Sequence, residues 1–257
     1  MDYDFLFYPP REEYDYGRKR SSFSSNRKKL RKYRDLPALW MREPDRYPHV
    51  LEVFRSFANK IVLFHETLQY KTFLMTGTDA KVGTSTVTFN LGLILGRSMP
   101  DRQILIIDAH LERPTLHFAF NHAPSNGLMK YLLGRSPLVD IVRPTFLPNL
   151  DIITFSHLED EILSPFSLPS FKQLLDEVRE YYDIVLLDSA PALKSSHTWM
   201  LSAKVDGVIL VAQANRSRFE VLEELVQQLN IQEANLLGSF LNKRKYFIPQ
   251  WIYRYIF

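Results

Sequence analysis

Apolar positions recur along this chain in two distinct periods. Over residues 50–64 (VLEVFRSFANKIVLF), Val50, Phe54, Phe57, Ile61 and Phe64 share one helical face, which predicts an amphipathic helix. The pattern then changes. Thr72–Met75, Ile104–Ile107, Ile184–Leu187 and Val208–Ala212 are short, consecutively apolar and rich in branched side chains, as strands covered on both faces are. A fifth strand is expected over Asn235–Leu241. Helical spacing returns between them, around Val87–Leu95, at Phe171, Leu174, Leu175 and Val178, and at Leu222, Leu225, Val226 and Leu229. Strands alternating with helices predict an α/β domain over residues 48–245, doubly wound, with a mainly parallel sheet and helices on both faces. Ligands of such sheets sit beyond the carboxyl ends of the strands.

Outside that span the pattern lapses, and charge takes over. The chain has 257 residues, 46% of them apolar, and a net charge of +3. Nine Lys or Arg and no acid fall within residues 18–34, so the rest of the chain carries −6. Residues 1–47 therefore read as a flexible basic arm, too polar to offset the entropy of ordering. The arm suits a solubilising tail or attraction to the anionic inner leaflet, worth about 1 kcal/mol per basic residue near the surface. Nucleic acid draws on the same charge but is not the expected partner. No apolar run approaches the roughly 18 to 20 residues that span a bilayer, and the N-terminus lacks the order of a signal peptide. The expected location is cytoplasmic, peripheral at the inner face of the membrane. The absence of cysteine rules out disulfides, thiolate metal sites and a cysteine nucleophile. The seven histidines show no metal-ligand spacing, and no serine stands in a nucleophile elbow.

Chemistry gathers at three predicted strand ends. After Thr72–Met75 comes TGTDAKVGTST, with Gly77, Gly83 and hydroxyl residues leading into a helix. Backbone N–H groups and the helix dipole favour an anion there. The usual G-K-[ST] ending is replaced by Gly83-Thr84-Ser85, so this loop taken alone fits a turn capped by Thr84 or Ser85 better than a phosphate loop. The next two strands close on Asp108 (ILIIDAHLERP) and Asp188 (YDIVLLDSAPAL). Carboxylates beside a phosphate loop are where P-loop proteins hold Mg²⁺ or its waters. The three loops in this order indicate a P-loop fold.

Residues 52–251 resemble the bacterial tyrosine kinases (BY-kinases) of capsule and exopolysaccharide synthesis, deviant P-loop relatives of the MinD and ParA ATPases. The resemblance rests on Glu52 and Arg55, the phosphate loop with Asn90-Leu91, Asp108 with Arg113-Pro114, Gly127-Leu128, Tyr182-Asp183, Asp188, Asp206-Gly207, Gly238 with Leu241-Asn242, and the tail YFIPQWIY. It implies Mg·ATP as cofactor and nucleotide contacts from Lys81, Gly83, Thr84, Ser85, Thr86 and Asn242. It further implies Mg²⁺ at Ser85, Asp108 and Asp188, with the two aspartates catalytic if the enzyme is active. Glu52 and Arg55 fall on a self-association interface, and Tyr246, Tyr253 and Tyr255, in a tail over 246–257, become candidate phosphate acceptors. That tail is also apolar enough to pack on the domain, a partner or the membrane interface. Family members work with a transmembrane polysaccharide co-polymerase, which is the expected partner together with a further BY-kinase or a second copy of this chain.

The departures from the family fall on the chemistry. Thr84 stands where the family has its phosphate-loop lysine, and Lys81 stands where it has glycine. His110 and Glu112 replace an aspartate and an arginine, Ala190-Pro191 replaces Pro-Pro, and His197 replaces an aspartate. Ala58 takes the third place in the Glu-Arg-Arg series of the opening helix. A MinD- or ParA-like ATPase would need lysines at Asp79 and Thr84. The resulting expectation is a catalytically impaired pseudokinase with weakened ATP or ADP and Mg²⁺ binding, acting as a regulatory or adaptor subunit. The alternative is an active autokinase in which Lys81 and His110 substitute for the missing groups.

Overall fold

A computed structural model of the chain describes residues 48–120, 122, 127–155 and 165–243. The basic arm and the tail tyrosines Tyr246, Tyr253 and Tyr255 lie outside the described residues. Helix α1 (Pro48–Leu68) precedes strand β1 (Thr72–Gly77), α2 (Thr84–Ser98) and β2 (Ile104–Asp108). Three short helices follow, α3 (Leu116–Ala119), α4 (Gly127–Leu132) and α5 (Leu138–Ile141), then β3 (Val142–Pro144) and β4 (Leu150–Ile153). The chain continues through α6 (Pro169–Tyr181), β5 (Ile184–Asp188), α7 (Ser196–Ser202), β6 (Gly207–Gln213), α8 (Phe219–Ile231) and β7 (Leu236–Asn242).

The strands form one sheet in the order β3-β4-β2-β5-β1-β6-β7, parallel except for the β3–β4 edge pair. All five strands expected from the apolar runs are present, and β3 and β4 join them. β3 is three residues long and partly exposed, with Pro144 closing it, so it carries no apolar run to betray it.

Side chains alternate across the sheet and build two cores. Phe73, Met75, Ile104, Ile106, Ile184 and Leu186 face α1 and α2, meeting Phe54, Ile61, Leu91 and Leu95. Leu74, Leu105, Ile107, Val185 and Leu187 face the other way, toward Phe171, Leu174 and Val178 of α6 and Leu225 and Leu229 of α8. Helix α2 lies almost against the sheet because Gly92 has no side chain there. A Cβ on Gly92 would stand 2.5 Å from Ile106 Cδ1. The opening helix differs from its sequence pattern at one end, since Val50 is exposed while Phe54 and Ile61 are buried.

A clasp fixes where β1 starts. The Asp206 carboxylate accepts hydrogen bonds from Lys71 N (2.9 Å), Thr72 N (2.8 Å), Thr72 Oγ1 (2.8 Å) and Arg179 Nη2 (3.0 Å). These charge-assisted bonds hold its proton affinity below the ordinary carboxylate range against the opposing effect of burial. The strand that delivers the first loop is thereby tied to β6 and α6.

Candidate functional site

From β1 the chain runs out to β2 and β4, returns to β5 beside β1, and continues outward through β6 and β7 on the other side. The change of direction brings the ends of β1, β2 and β5 together, which is where the three loops of interest lie. The first is built on positive backbone angles. Gly83, at φ 98 and ψ 29, is the N-cap of α2, and a glycine takes that conformation without steric cost. A Cβ there would also stand 2.4 Å from Asn242 Nδ2, which donates to Val82 O at 2.9 Å. Lys81 holds φ 66, so the loop keeps a left-handed residue where glycine is absent, at a cost of about 1 kcal/mol or more.

Thr84, Ser85 and Thr86 form the first turn of α2, whose N–H groups have no acceptor within the helix. Gly83 brings no side chain to cap them. Thr84 is 8% exposed, and its Oγ1 lies 2.8 Å from where a Cβ of Gly77 would be, so the side chain is folded back against the loop. Lys81 is exposed on the surface of the turn.

The two aspartates meet in register. Asp108 ends β2 opposite Asp188, which ends β5, and both are fully buried. Asp108 Oδ1 accepts from His110 N at 3.3 Å, and its Oδ2 accepts from Thr115 N at 3.1 Å and Leu116 N at 3.0 Å. The carboxylate thus shapes its own loop and receives the start of α3. Burial pushes its proton affinity up to about 7, against the opposing pull of those N–H groups. Burial, and then the neighbouring Asp108, push Asp188 well above the usual carboxylate range. Thr88 Oγ1 donates to Asp188 Oδ1 at 3.3 Å, and Ser85 hydrogen bonds to the same carboxylate, while Asp188 Oδ2 is buried without a partner.

An orphaned buried carboxylate oxygen, a second carboxylate opposite it and the Ser85 hydroxyl are hard oxygen donors with too little positive charge among them. That donor set fits Mg²⁺. Among the described residues no group of three or more His, Asp or Glu gathers as a metal cluster, so water and a phosphate would have to complete the coordination.

The remaining expected positions are distributed as follows. His110 accepts from Arg113 N through Nδ1 at 3.1 Å, and burial lowers its proton affinity, so it is neutral and engaged in its own turn. His197 sits edge-on to Phe166, 6.0 Å between ring centres, in the apolar layer. Glu52 and Arg55 are exposed on α1, whereas Ala58 is buried in the core.

Three cations that sequence reasoning passed over approach the phosphate loop. Lys194, six residues beyond Asp188, has its Nζ 2.5 Å from Asp79 Oδ1, and Arg216 Nη2 lies 3.8 Å from Asp79 Oδ2. The Lys194 hydrogen bond, followed by that of Ala80 N at 2.7 Å, holds Asp79 below its ordinary range. Lys243 Nζ donates to Lys81 O at 2.5 Å. Their only signal in the sequence is position, each lying in a segment that follows a predicted strand.

A glycine-containing loop between β1 and α2, faced by carboxylates ending β2 and β5 of a mostly parallel sheet, is the layout of the P-loop fold. The AAA domain family matches residues 74–241. The tyrosine-protein kinase YwqD of Bacillus subtilis is 27% identical over 194 residues, 76% of this chain and 81% of YwqD. The putative tyrosine-protein kinase EpsB of Ralstonia solanacearum is 28% identical over 195 residues, 75% of this chain but 25% of EpsB, so the chain spans about a quarter of that relative's length. Among solved structures, the kinase domain of VpsO aligns with a TM-score of 0.69 at 28% identity, covering 79% of this chain and 98% of that one. MinD of Aquifex aeolicus shares the fold, with a TM-score of 0.56 at 17% identity over 72% of each chain. The chain belongs to the AAA domain family and is similar to bacterial tyrosine-protein kinases in sequence and fold.

Among the described residues no helix is long and apolar enough to cross a membrane.

Proposed function

We propose that this protein is a catalytically impaired BY-kinase that binds nucleotide and serves as a regulatory or adaptor subunit of a membrane polysaccharide co-polymerase. The observation that carries this reading is Thr84. It occupies the head of α2 with a short, uncharged side chain folded back on Gly77. Phosphoryl transfer depends on positioning and on offsetting charge at the migrating group, and one missing preorganised donor costs about 10² to 10³ in rate. Loss of a cation at that point costs at least as much.

Binding is a different matter. The first turn of α2, the left-handed loop and Asn242 beside Gly83 are all retained, and together they support a phosphate seat. Ser85, Asp108 and Asp188 would hold Mg²⁺, which when bound offsets charge on the phosphates. His110, with Nδ1 accepting from Arg113 N, is poorly disposed to act as a base through that atom. The basic arm at 18–34 supplies attraction to an anionic membrane, the exposed Glu52 and Arg55 a surface for self-association or for an active BY-kinase, and Tyr246, Tyr253 and Tyr255 the candidate acceptors.

A second reading, an active tyrosine autokinase, is favoured by one observation: the acidic pair is intact, with an oxygen of Asp188 left unpaired. The full chain, incubated with γ-labelled Mg·ATP and a cytoplasmic fragment of its co-polymerase, should incorporate no label on tyrosine, while calorimetry detects Mg·ADP binding. Incorporation that disappears in Asp188→Ala would establish the active enzyme instead.

A further inference from the structure

The loop that lacks its own lysine is surrounded by cations from elsewhere in the chain. Lys194 comes from the segment after β5, Arg216 from the segment after β6, and Lys243 from the end of β7. Lys194 and Arg216 both reach the Asp79 carboxylate, at 2.5 and 3.8 Å. Lys243 reaches the other side of the same loop, donating to Lys81 O, with its Cε 3.6 Å from where a Cβ of Gly83 would be. Partial burial, and then the charge of nearby Arg216, lower the proton affinity of Lys243. Two of the three share the Asp79 carboxylate and the third bonds a backbone carbonyl; with the exposed Lys81 of the loop itself, four positive side chains stand against one carboxylate around residues 79–83.

We propose that Lys194, Arg216 and Lys243 form the seat that grips the phosphates of a bound nucleotide, and that Asp79 is an internal anion holding two of them until the phosphates displace it. This deepens the nucleotide-binding reading above and rests on it. The displacement is physically easy. Lys194 is 57% exposed, Arg216 48% and Asp79 42%, and ion pairs so open to water are individually weak. A di- or triphosphate carries several negative charges against the single charge of Asp79, and the cations flank both ends of the loop, so it can engage more of them at once. Exchange of one ion pair for several, without a change in the fold, requires only rotation of long exposed side chains.

This arrangement separates binding from catalysis. A cation tethered to a strand-end loop at the rim can neutralise a phosphate, but it does not reproduce an ammonium fixed at the head of α2, where a migrating group would need it. The loop can hold nucleotide and still transfer its terminal phosphoryl group poorly.

The test is calorimetric titration of the full chain with Mg·ADP, Mg·ATP and inorganic triphosphate. Lys194→Ala, Arg216→Ala and Lys243→Ala should each weaken binding about tenfold, as removal of one unit charge near an exposed phosphate does. Lys194→Arg should retain the affinity within about threefold, and Asp79→Asn should tighten it several-fold. Inorganic triphosphate should compete with nucleotide, because the seat reads phosphate and not base. All of these positions are exposed or partly so, and matched thermal unfolding midpoints will show that the variants fold. Binding of Mg·ADP by the wild type that is indifferent to all three alanine variants overturns the seat and leaves nucleotide binding standing. No binding by the wild type or by Asp79→Asn overturns both.

Discussion

Asp188→Asn should make the nucleotide-free protein more stable while abolishing its response to Mg²⁺ and nucleotide. The two carboxylates end neighbouring parallel strands in register, both fully buried. Neighbouring strands lie about 4.8 Å apart, and two unit charges at about 5 Å in an effective dielectric of about 20 repel by about 3 kcal/mol. Burial adds a separate cost at Asp108. A rise from 3.8 to about 7, driven by burial against the pull of its N–H partners, amounts to about 4 kcal/mol once the pH exceeds both values. A carboxyl whose folded pKa is raised contributes stability that is complete below pH 3.8 and lost as the pH climbs through 7. Asparagine at 188 keeps an acceptor for Thr88 and offers an amide donor beside Asp108. At pH 8 in the presence of a chelator the variant should therefore gain about 2 to 3 kcal/mol, about 4 to 12 °C in Tm for a domain of this size. Urea and thermal denaturation between pH 4.5 and 8.5 would measure it, with the wild type losing stability toward alkaline pH more steeply than the variant. A variant of equal or lower midpoint at pH 8, with the wild-type pH slope, would refute the idea that the fold holds two like charges in place for a cation.

Two further substitutions probe the scaffold that carries that pair. Asn149→Ala removes a buried amide whose Nδ2 approaches Gly96 O, Met99 O and Arg102 O at 2.9 Å each, closing the end of α2 onto the turn before β2. The cost should be about 2 to 3 kcal/mol in urea unfolding, and a loss below about 0.5 kcal/mol would show that the carbonyls find other donors. His117, in α3 beside the N–H groups that bind Asp108, is buried with both ring nitrogens unpartnered, and burial, then His122, lower its pKa from 6.5 to about 4. Its folded value is depressed, so the unfolded chain takes up protons first. Its contribution is present above pH 6.5 and fades as the pH falls through 4, by about 3 kcal/mol in all. His117→Leu should lack that acid-dependent share, visible as a wild-type minus variant stability that falls between pH 7 and 4.5; a constant difference would show that His117 stays neutral throughout.

The apolar runs at Thr72–Met75, Ile104–Ile107 and Ile184–Leu187 were sufficient to announce a buried parallel sheet, because strands covered on both faces admit almost nothing but branched aliphatic residues. The same logic put Asp108 and Asp188 at strand ends and the loop from Gly77 to Gly83 after another, since the residue that stops an apolar run stands at the rim where ligands bind. Local sequence also exposed what was missing, an ammonium at position 84. It was silent on β3, whose three partly exposed residues carry no period, and on the register that sets Asp108 directly across from Asp188. Least legible were the cations. Lys194 lies 115 residues from Asp79, and Lys243 lies 162 from Lys81, so only the crossover of strands that makes β5, β1, β6 and β7 neighbours could bring their charges to one loop. Hydrophobic pattern is a local property and is written in the order of residues, whereas electrostatic balance at a site depends on distances through space that only the folded topology decides.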